Sequence, residues 1–483
     1  MDALAGSCRI GWTGVAALFA IAGNAIANNA TAAGGVPPCL QCITVRLEHP
    51  IVVRGPSPYE PDAPVSVIRL PDGSFRGFLA GGKTLAIDGE TPIALGGQSR
   101  VVLTAGQPGS PSECGRWLTT VMNGLGVLYG LIHNEAHCND PYGTYKWMSI
   151  AQSGDYGLTW NILGPVISSD DADAPHSQGE GDCTGVDGHD GYWYAYCLRR
   201  RDGKNTVARA PIENPAPGQW LMWSGRRWDV PAIGGTGAAL PGFVGMSSAY
   251  WTDTNFILLV ATLNSSMRLS VTEDKVHFGA IEEPLMLYDE YNWKRPAPTE
   301  LFAYPSMVAD RGLNNIAEHF FLTYMYVPPG EDFRYRYLVA QEGWIEASAY
   351  PQEPQVRIAL SRWIDAAGDT WTTTGPTIVP GRSYSYDRRL GYVMTAALPH
   401  NASVMLDECY SDSTGAGFVA PAGHCAAEGS ARRRPGGYLY RFERPDTVAL
   451  YDCLSHNHAR FVSNRADCEN KGSSAQLLGF ALR

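Results

Sequence analysis

The stretch from 115 to 168 constrains the fold most. An apolar extended run at 116–122 ends at the turn pair Asn123-Gly124. A second run, rich in Leu, Tyr and Ile, follows at 127–132, a third at 147–151 and a fourth at 162–167. Between the third and fourth stands Ser153-Gly154-Asp155-Tyr156-Gly157-Leu158-Thr159-Trp160. Four short strands joined by turn chemistry make one blade-like antiparallel sheet, the unit that β-propellers repeat. The octapeptide reads mechanically. Asp155 can accept from turn amides, Gly157 can take a left-handed backbone, and Trp160 can pack between neighbouring sheets.

The same grammar recurs. One blade begins near Asp62, turns at Pro71-Asp72-Gly73 and returns from Phe75. Another begins near Cys183 and turns across 188–191. A fourth runs through Trp251, and a fifth starts near Glu300. Strands at 391–397, 403–408 and 437–442 read as a last, partial blade, which 43–53 completes and so closes the ring. The expectation is an all-β chain whose 43–443 form a β-propeller of six blades, with five as the alternative count. Residues 331–355 read as an insertion, and 444–483 as a small cysteine-paired appendage. The 53 glycines and 33 prolines suit many short strands better than long helices.

The first 27 residues read as an export signal. Arg9 supplies a positive charge, an apolar run follows, and Ala25-Ile26-Ala27 is an A-x-A cleavage site. The apolar run is short for a membrane span. Residues 28–42 would then be a linker, and the mature chain is expected to be secreted or periplasmic, monomeric and off the membrane. After cleavage ten cysteines remain, in sequence-neighbour pairs: Cys39 with Cys42, Cys114 with Cys138, Cys183 with Cys197, Cys409 with Cys425 and Cys453 with Cys468. An even count in an exported chain points to disulfides. The Cys39-x-x-Cys42 spacing is also that of half a zinc site, but no second C-x-x-C completes it. A net charge of -11 without a basic stripe argues against nucleic acid as a partner. No cofactor motif is present. The stretch 234–237 lacks the Lys-Ser or Lys-Thr of a phosphate loop, and 133–137 is not H-E-x-x-H.

The octapeptide 153–160 matches the Asp-box, S-x-D-x-G-x-T-W. With the blade pattern it makes 43–443 resemble the sialidase-like propellers and related propeller glycoside hydrolases, among them arabinanases, xylosidases and fructan hydrolases. Val67-Ile68-Arg69-Leu70-Pro71 departs from the sialidase Arg-Ile-Pro pattern, because Arg69 lies at the turn. Tyr59-Glu60-Pro61-Asp62-Ala63-Pro64 looks like the Asp at the head of the first blade in arabinanase-type enzymes.

Strand direction selects the candidate residues. In a propeller, first strands start and second strands end on one face. Asp62 precedes a first strand, His133-Asn134-Glu135 ends a second, and Asp182 and Glu300 precede further first strands. Asp62, Glu135 and Glu300 are therefore the candidate catalytic carboxyls, with His133 and Asp182 as substrate-binding groups. Paired carboxyls are what glycoside hydrolysis needs: one acid for the leaving oxygen and one base or nucleophile. The expected assignment makes Glu135 the acid and Asp62 the base or nucleophile, with Glu300 tuning the pair. The substrate is then an oligo- or polysaccharide. A non-catalytic glycan- or protein-binding propeller and a polysaccharide lyase are the alternatives, since fold alone does not select among them.

Overall fold

The computed structural model describes residues 39–483 apart from 125, 141–142, 170–178, 242–246, 291, 380, 412–413, 427–429 and 457–458. The expected signal segment and most of the linker lie outside the described residues. Among those described, no helix is long and apolar enough to cross a membrane. The chain is built of strands. β1 (Ile43–Arg54) is followed by a first sheet of β2 (Ser66–Arg69), β3 (Phe75–Ala80), β4 (Thr84–Gly89) and β5 (Ser99–Leu103). The second sheet is β6 (Gly115–Asn123), β7 (Leu128–Ala136), β8 (Tyr145–Ser153) and β9 (Asn161–Ile167). The third is β10 (Glu180–Asp187), β11 (Tyr192–Arg199), β12 (Lys204–Pro211) and β13 (Leu221–Trp223), extended by β14 (Trp228–Pro231). The fourth is β15 (Ser247–Trp251), β16 (Phe256–Leu263) and β17 (Ser266–Thr272), with β18 (Gly279–Ala280) and β19 (Met286–Leu287) both paired to β17. The fifth unit runs β20 (Leu301–Ala309), β22 (His319–Val327), β23 (Tyr337–Ala347) and then β1; the short β21 (Asn315–Ile316) pairs back to β15.

A repeated hydroxyl ties these units into a ring. Each first strand carries a Ser or Thr at an equivalent place: Ser66, Thr120, Thr184, Ser248 and Ser306. The Val121 amide donates to Ser66 Oγ at 3.1 Å, Gly185 to Thr120 Oγ1 at 2.8 Å, and Ser248 to Thr184 Oγ1 at 3.2 Å. The Val65 amide donates to Ser306 Oγ at 2.7 Å, which closes the circle from the fifth unit to the first. The remaining junction, fourth to fifth, is made by backbone: the Tyr250 amide donates to Asn314 O at 2.7 Å. First strands are buried on both faces, as centre-facing strands must be, and a buried amide needs an acceptor there. The side-chain hydroxyls supply it where no strand pairs.

Residues 356–482 fold as a second group of strands: β24 (Val356–Asp365), β25 (Thr370–Thr373), β26 (Tyr384–Met394), β27 (Ser403–Tyr410), β28 (Gly417–Pro421), β29 (Ala431–Tyr440), β30 (Thr447–Ser455), β31 (Arg460–Ser463) and β32 (Gly472–Leu482). They pair with one another. Among the described residues, β24 is the strand that pairs with the ring, in parallel with β1 over Val45–Val356 to Leu47–Ile358.

Three expectations are corrected by this pairing. The ring has five units, because β1 completes the fifth by lying antiparallel on β23 rather than completing a sixth. Residues 337–347, read as part of an insertion, are the third strand of that fifth unit. The expected boundary at 443 does not separate two modules: β32 pairs with β26, β29 and β30, so the tail shares its sheet with 384–440. The cysteines are joined as five neighbour pairs, Cys39–Cys42, Cys114–Cys138, Cys183–Cys197, Cys409–Cys425 and Cys453–Cys468. Cys39 and Cys42 are thus bonded to each other rather than free to bind zinc.

Candidate active site

Three first strands break register immediately before their ring hydroxyl. The irregularities fall between Leu118 and Thr120 in β6, Gly181 and Thr184 in β10, and Ala303 and Ser306 in β20. A bulge re-aims the extra residue's side chain. The residues so released include Thr119, Asp182 and Tyr304, and all three line one pocket of about 80 Å3 with Asp62, Trp117, His133, Glu135 and Lys146. Asp182 and Tyr304 hold φ of 50° and 53°, a left-handed backbone that non-glycine residues seldom adopt. The neighbouring Cys183–Cys197 and Cys114–Cys138 bridges brace β10 on β11 and the shared end of β6 and β7.

Cross-strand register builds the rest. His133 and Glu135 lie two apart on β7, on one face of the strand. Lys146 of β8 sits directly opposite Glu135. Lys146 Nζ stands 3.2 Å from Glu135 Oε1 and 3.4 Å from Asp182 Oδ2, bridging the two carboxylates. Arg200 lies 3.7 Å from Asp182 Oδ2. The Asp182 amide donates to His133 Nδ1 at 3.0 Å. Nδ1 is therefore the acceptor, which leaves the proton on Nε2 to donate to Glu135 Oε1 at 3.1 Å. Both imidazole nitrogens are thus committed, and Trp117 packs edge-on to the ring.

The surroundings separate the carboxyls electrostatically. Burial alone would raise Glu135, but the His133 hydrogen bond and the Lys146 charge outweigh it and hold its carboxyl down at about 2. Burial would also raise Asp182, and there the Lys146 charge, with that of Arg200, wins and keeps it well below the ordinary carboxylate range. Asp62 goes the other way. Burial pushes its carboxyl up, the nearby Glu135 and Asp182 charges add to the rise, and Arg336 at 3.4 Å with the Tyr304 hydroxyl only partly offsets it. Tyr304 is itself pushed far above its ordinary value, by burial first and by the Asp62 and Asp182 charges next.

Of the residues selected from sequence, Asp62, His133, Glu135 and Asp182 meet here, and Glu300 does not. Its carboxylate is buried between the fifth unit and the second group of strands. It accepts from Tyr326 Oη at 2.6 Å, Arg433 Nε at 2.9 Å and Arg434 NH1 at 3.1 Å. Arg434 continues to Glu408 at 2.9 Å. Glu300 is a member of a structural ion network, and that replaces its catalytic reading. Lys146, Arg336, Thr119 and Arg200 escape a sequence search. Lys146 is recoverable only from the β7–β8 register, and Arg336 sits in the stretch read as an insertion. Trp117 and Tyr304 look like core aromatics in sequence.

No protein-family model matches the chain, and no curated protein matches it in sequence. Among solved structures it is similar to an alpha-L-arabinofuranosidase from Lactobacillus brevis, at 13% identity and TM-score 0.40, over 64% of this chain and 92% of that one. It is similar to the catalytic domain of a GH62 alpha-L-arabinofuranosidase from Coprinopsis cinerea, at 11% identity and TM-score 0.41, over 63% and 98%. A family 117 glycoside hydrolase from Zobellia galactanivorans matches at 11% identity and TM-score 0.40, over 65% and 93%. Likeness at this level does not fix a fold, and the ring rests on its own hydrogen bonds.

Proposed function

We propose that the chain is an exported glycoside hydrolase that cleaves a glycan at the pocket of Asp62, Glu135 and Asp182. The observation that carries the reading is the opposed tuning of carboxyls in one cavity: Asp62 held up, Glu135 and Asp182 held down. Environments that push carboxyls apart mark acid and base roles. This tuning exchanges the roles expected from sequence. Asp62 is the proton donor to the glycosidic oxygen as the C–O bond breaks. Glu135, kept anionic by Lys146 and His133, stabilises the positive charge growing at the anomeric carbon and attacks it or directs water to it. Asp182 and Lys146 hold Glu135 in place. Trp117 and Tyr304 supply aromatic surface beside the reacting carbon. Five disulfides accord with an oxidising compartment, hence export.

A broad polysaccharide and aryl-glycoside panel, scored separately for reducing ends and unsaturated products, tests this. Reducing ends without unsaturation are expected. Unsaturated products would instead establish a lyase, and binding without any product a non-catalytic propeller. Neither imidazole nitrogen of His133 is free and Tyr304 is strongly disfavoured as a base, so the hydrolase reading is the better supported.

A further inference from the structure

Asp62 and Glu135 draw their partners from different parts of the ring. Asp62 lies 3.4 Å from Arg336, just before β23, and hydrogen-bonds with the Tyr304 hydroxyl of β20; both belong to the fifth unit. Glu135 takes His133 and Lys146, both from the second unit. Beside Tyr304 stands Trp293, in the segment between β19 and β20, with the two rings edge to face at 5.8 Å. Phe333 stacks on the same indole at 6.2 Å. Trp293 is still 41% exposed, whereas Trp is highly buried on average. The segment that carries it is anchored. Arg295, two residues on, donates to the carbonyls of Glu331 at 3.0 Å and of Pro328, which ties the segment to the loop carrying Phe333. It also donates to Thr299 O at 2.5 Å, closing the segment on itself. An exposed ring held in this way gives up little freedom when a ligand covers it.

We infer that Trp293 is the platform for the leaving-group sugar, the one released when Asp62 gives its proton to the glycosidic oxygen; the assignment rests on the glycoside-hydrolase reading. In that step the C–O electron pair goes to the glycosidic oxygen, which takes the Asp62 proton and departs as a hydroxyl. A proton donor must stand beside that oxygen, so the departing sugar lies on the Asp62 side of the bond. Aromatic surface on that side runs from Tyr304 in the pocket to Trp293 outside it. An exposed indole suits the C–H face of a sugar ring. Indole faces also attract cations, but Lys294 and Arg295 adjoin this one in the chain and disfavour a cationic occupant. The substrate is then a glycan gripped on both sides of the scissile bond, rather than one sugar joined to a small alcohol.

Calorimetric titration of Glu135→Gln protein with arabinotriose, xylotriose and inulotriose tests this without turnover. At least one should bind, and adding Trp293→Ala should weaken it about tenfold, while Trp293→Phe, which keeps a ring, stays within about threefold. With Glu135 intact, Trp293→Ala should raise KM about tenfold for the same trisaccharide and leave kcat near normal. It should hydrolyse the glycosyl fluoride of that sugar at the normal kcat/KM, because fluoride is too small to reach the platform. Failure of all three trisaccharides to bind, or equal affinity with and without Trp293, overturns the platform and leaves the catalytic reading intact. An equal fall on the glycosyl fluoride also overturns it, since Trp293 would then serve the other side of the bond. Weakened binding in a protein that hydrolyses nothing would keep Trp293 as a glycan contact but overturn the catalytic reading and, with it, the leaving-group role.

Discussion

Asp62 is the residue on which the proposed hydrolysis turns. Its carboxyl is raised by burial first and by two neighbouring anions next, while Glu135 is already ionised from about 2 upward. The proposed mechanism needs Asp62 protonated and Glu135 ionised, so kcat/KM should fall as pH rises through the raised Asp62 value, giving an acidic optimum. Asp62→Asn should lose about 10²–10⁴-fold on a polysaccharide. On an aryl glycoside whose leaving group needs no protonation it should keep most of its rate and lose the alkaline fall. A retained alkaline fall in that variant would assign the proton to another group. Asp155 works differently. Its carboxylate accepts from the Leu158 and Thr159 amides at 3.1 and 2.9 Å, and Gly157 at the same turn has φ of 80°. Asp155→Ala should cost about 1–2 kcal/mol in denaturant unfolding and leave turnover per folded molecule unchanged. These residues were legible because their signals are local: a carboxyl at a strand start, a polar burst at a strand end, a turn octapeptide. Glu300 carries the same local signal and misleads, because its partners Arg433 and Arg434 are far away in sequence and no spacing rule links them.

At the scale of elements, the junction of the fifth unit with the second group of strands depends on that buried network. Arg434 and Arg433 outweigh the burial of Glu300 and lower its carboxyl in the fold. A folded value below the unfolded one means stability that is present above the unfolded value, about 4.3, and is lost as pH falls through the folded one. Glu300→Gln should therefore destabilise by about 3–5 kcal/mol near neutrality and flatten acid unfolding, with near-normal kcat/KM for the molecules that remain folded. Loss of turnover in a well-folded variant would return Glu300 to the chemistry. The ring hydroxyls are the other element-level device. Thr184→Val keeps the shape and strands the Ser248 amide, at a cost of about 1–3 kcal/mol by thermal or denaturant unfolding. This repeat could have been read from sequence. Ser66-Val67, Thr120-Val121, Thr184-Gly185, Ser248-Ala249 and Ser306-Met307 recur once per unit. A search for strand-and-turn patterns passes over it, because one hydroxyl in an apolar run looks incidental.

For the whole molecule, the strands themselves were largely legible and the closure was not. Alternation and turn residues locate individual strands, since those are properties of a few neighbouring side chains. Which strand completes which sheet depends on a pairing between 43–54 and 338–347, and an N-terminal strand can complete a fifth unit or a sixth with the same local pattern. The strands beyond 356 mimic a blade for the same reason. The five-unit ring matters to function because it brings the ends of β6, β7, β10 and β20 to one mouth. The proposal is that this mouth hydrolyses a glycan through its carboxyls. The measurement closest to it is the turnover of Glu135→Gln, per folded molecule, on whichever panel glycan the wild type cleaves. The prediction is a loss of at least about 10³-fold with unfolding unchanged within about 1 kcal/mol. Turnover within a few-fold of wild type in folded Glu135→Gln would contradict the claim.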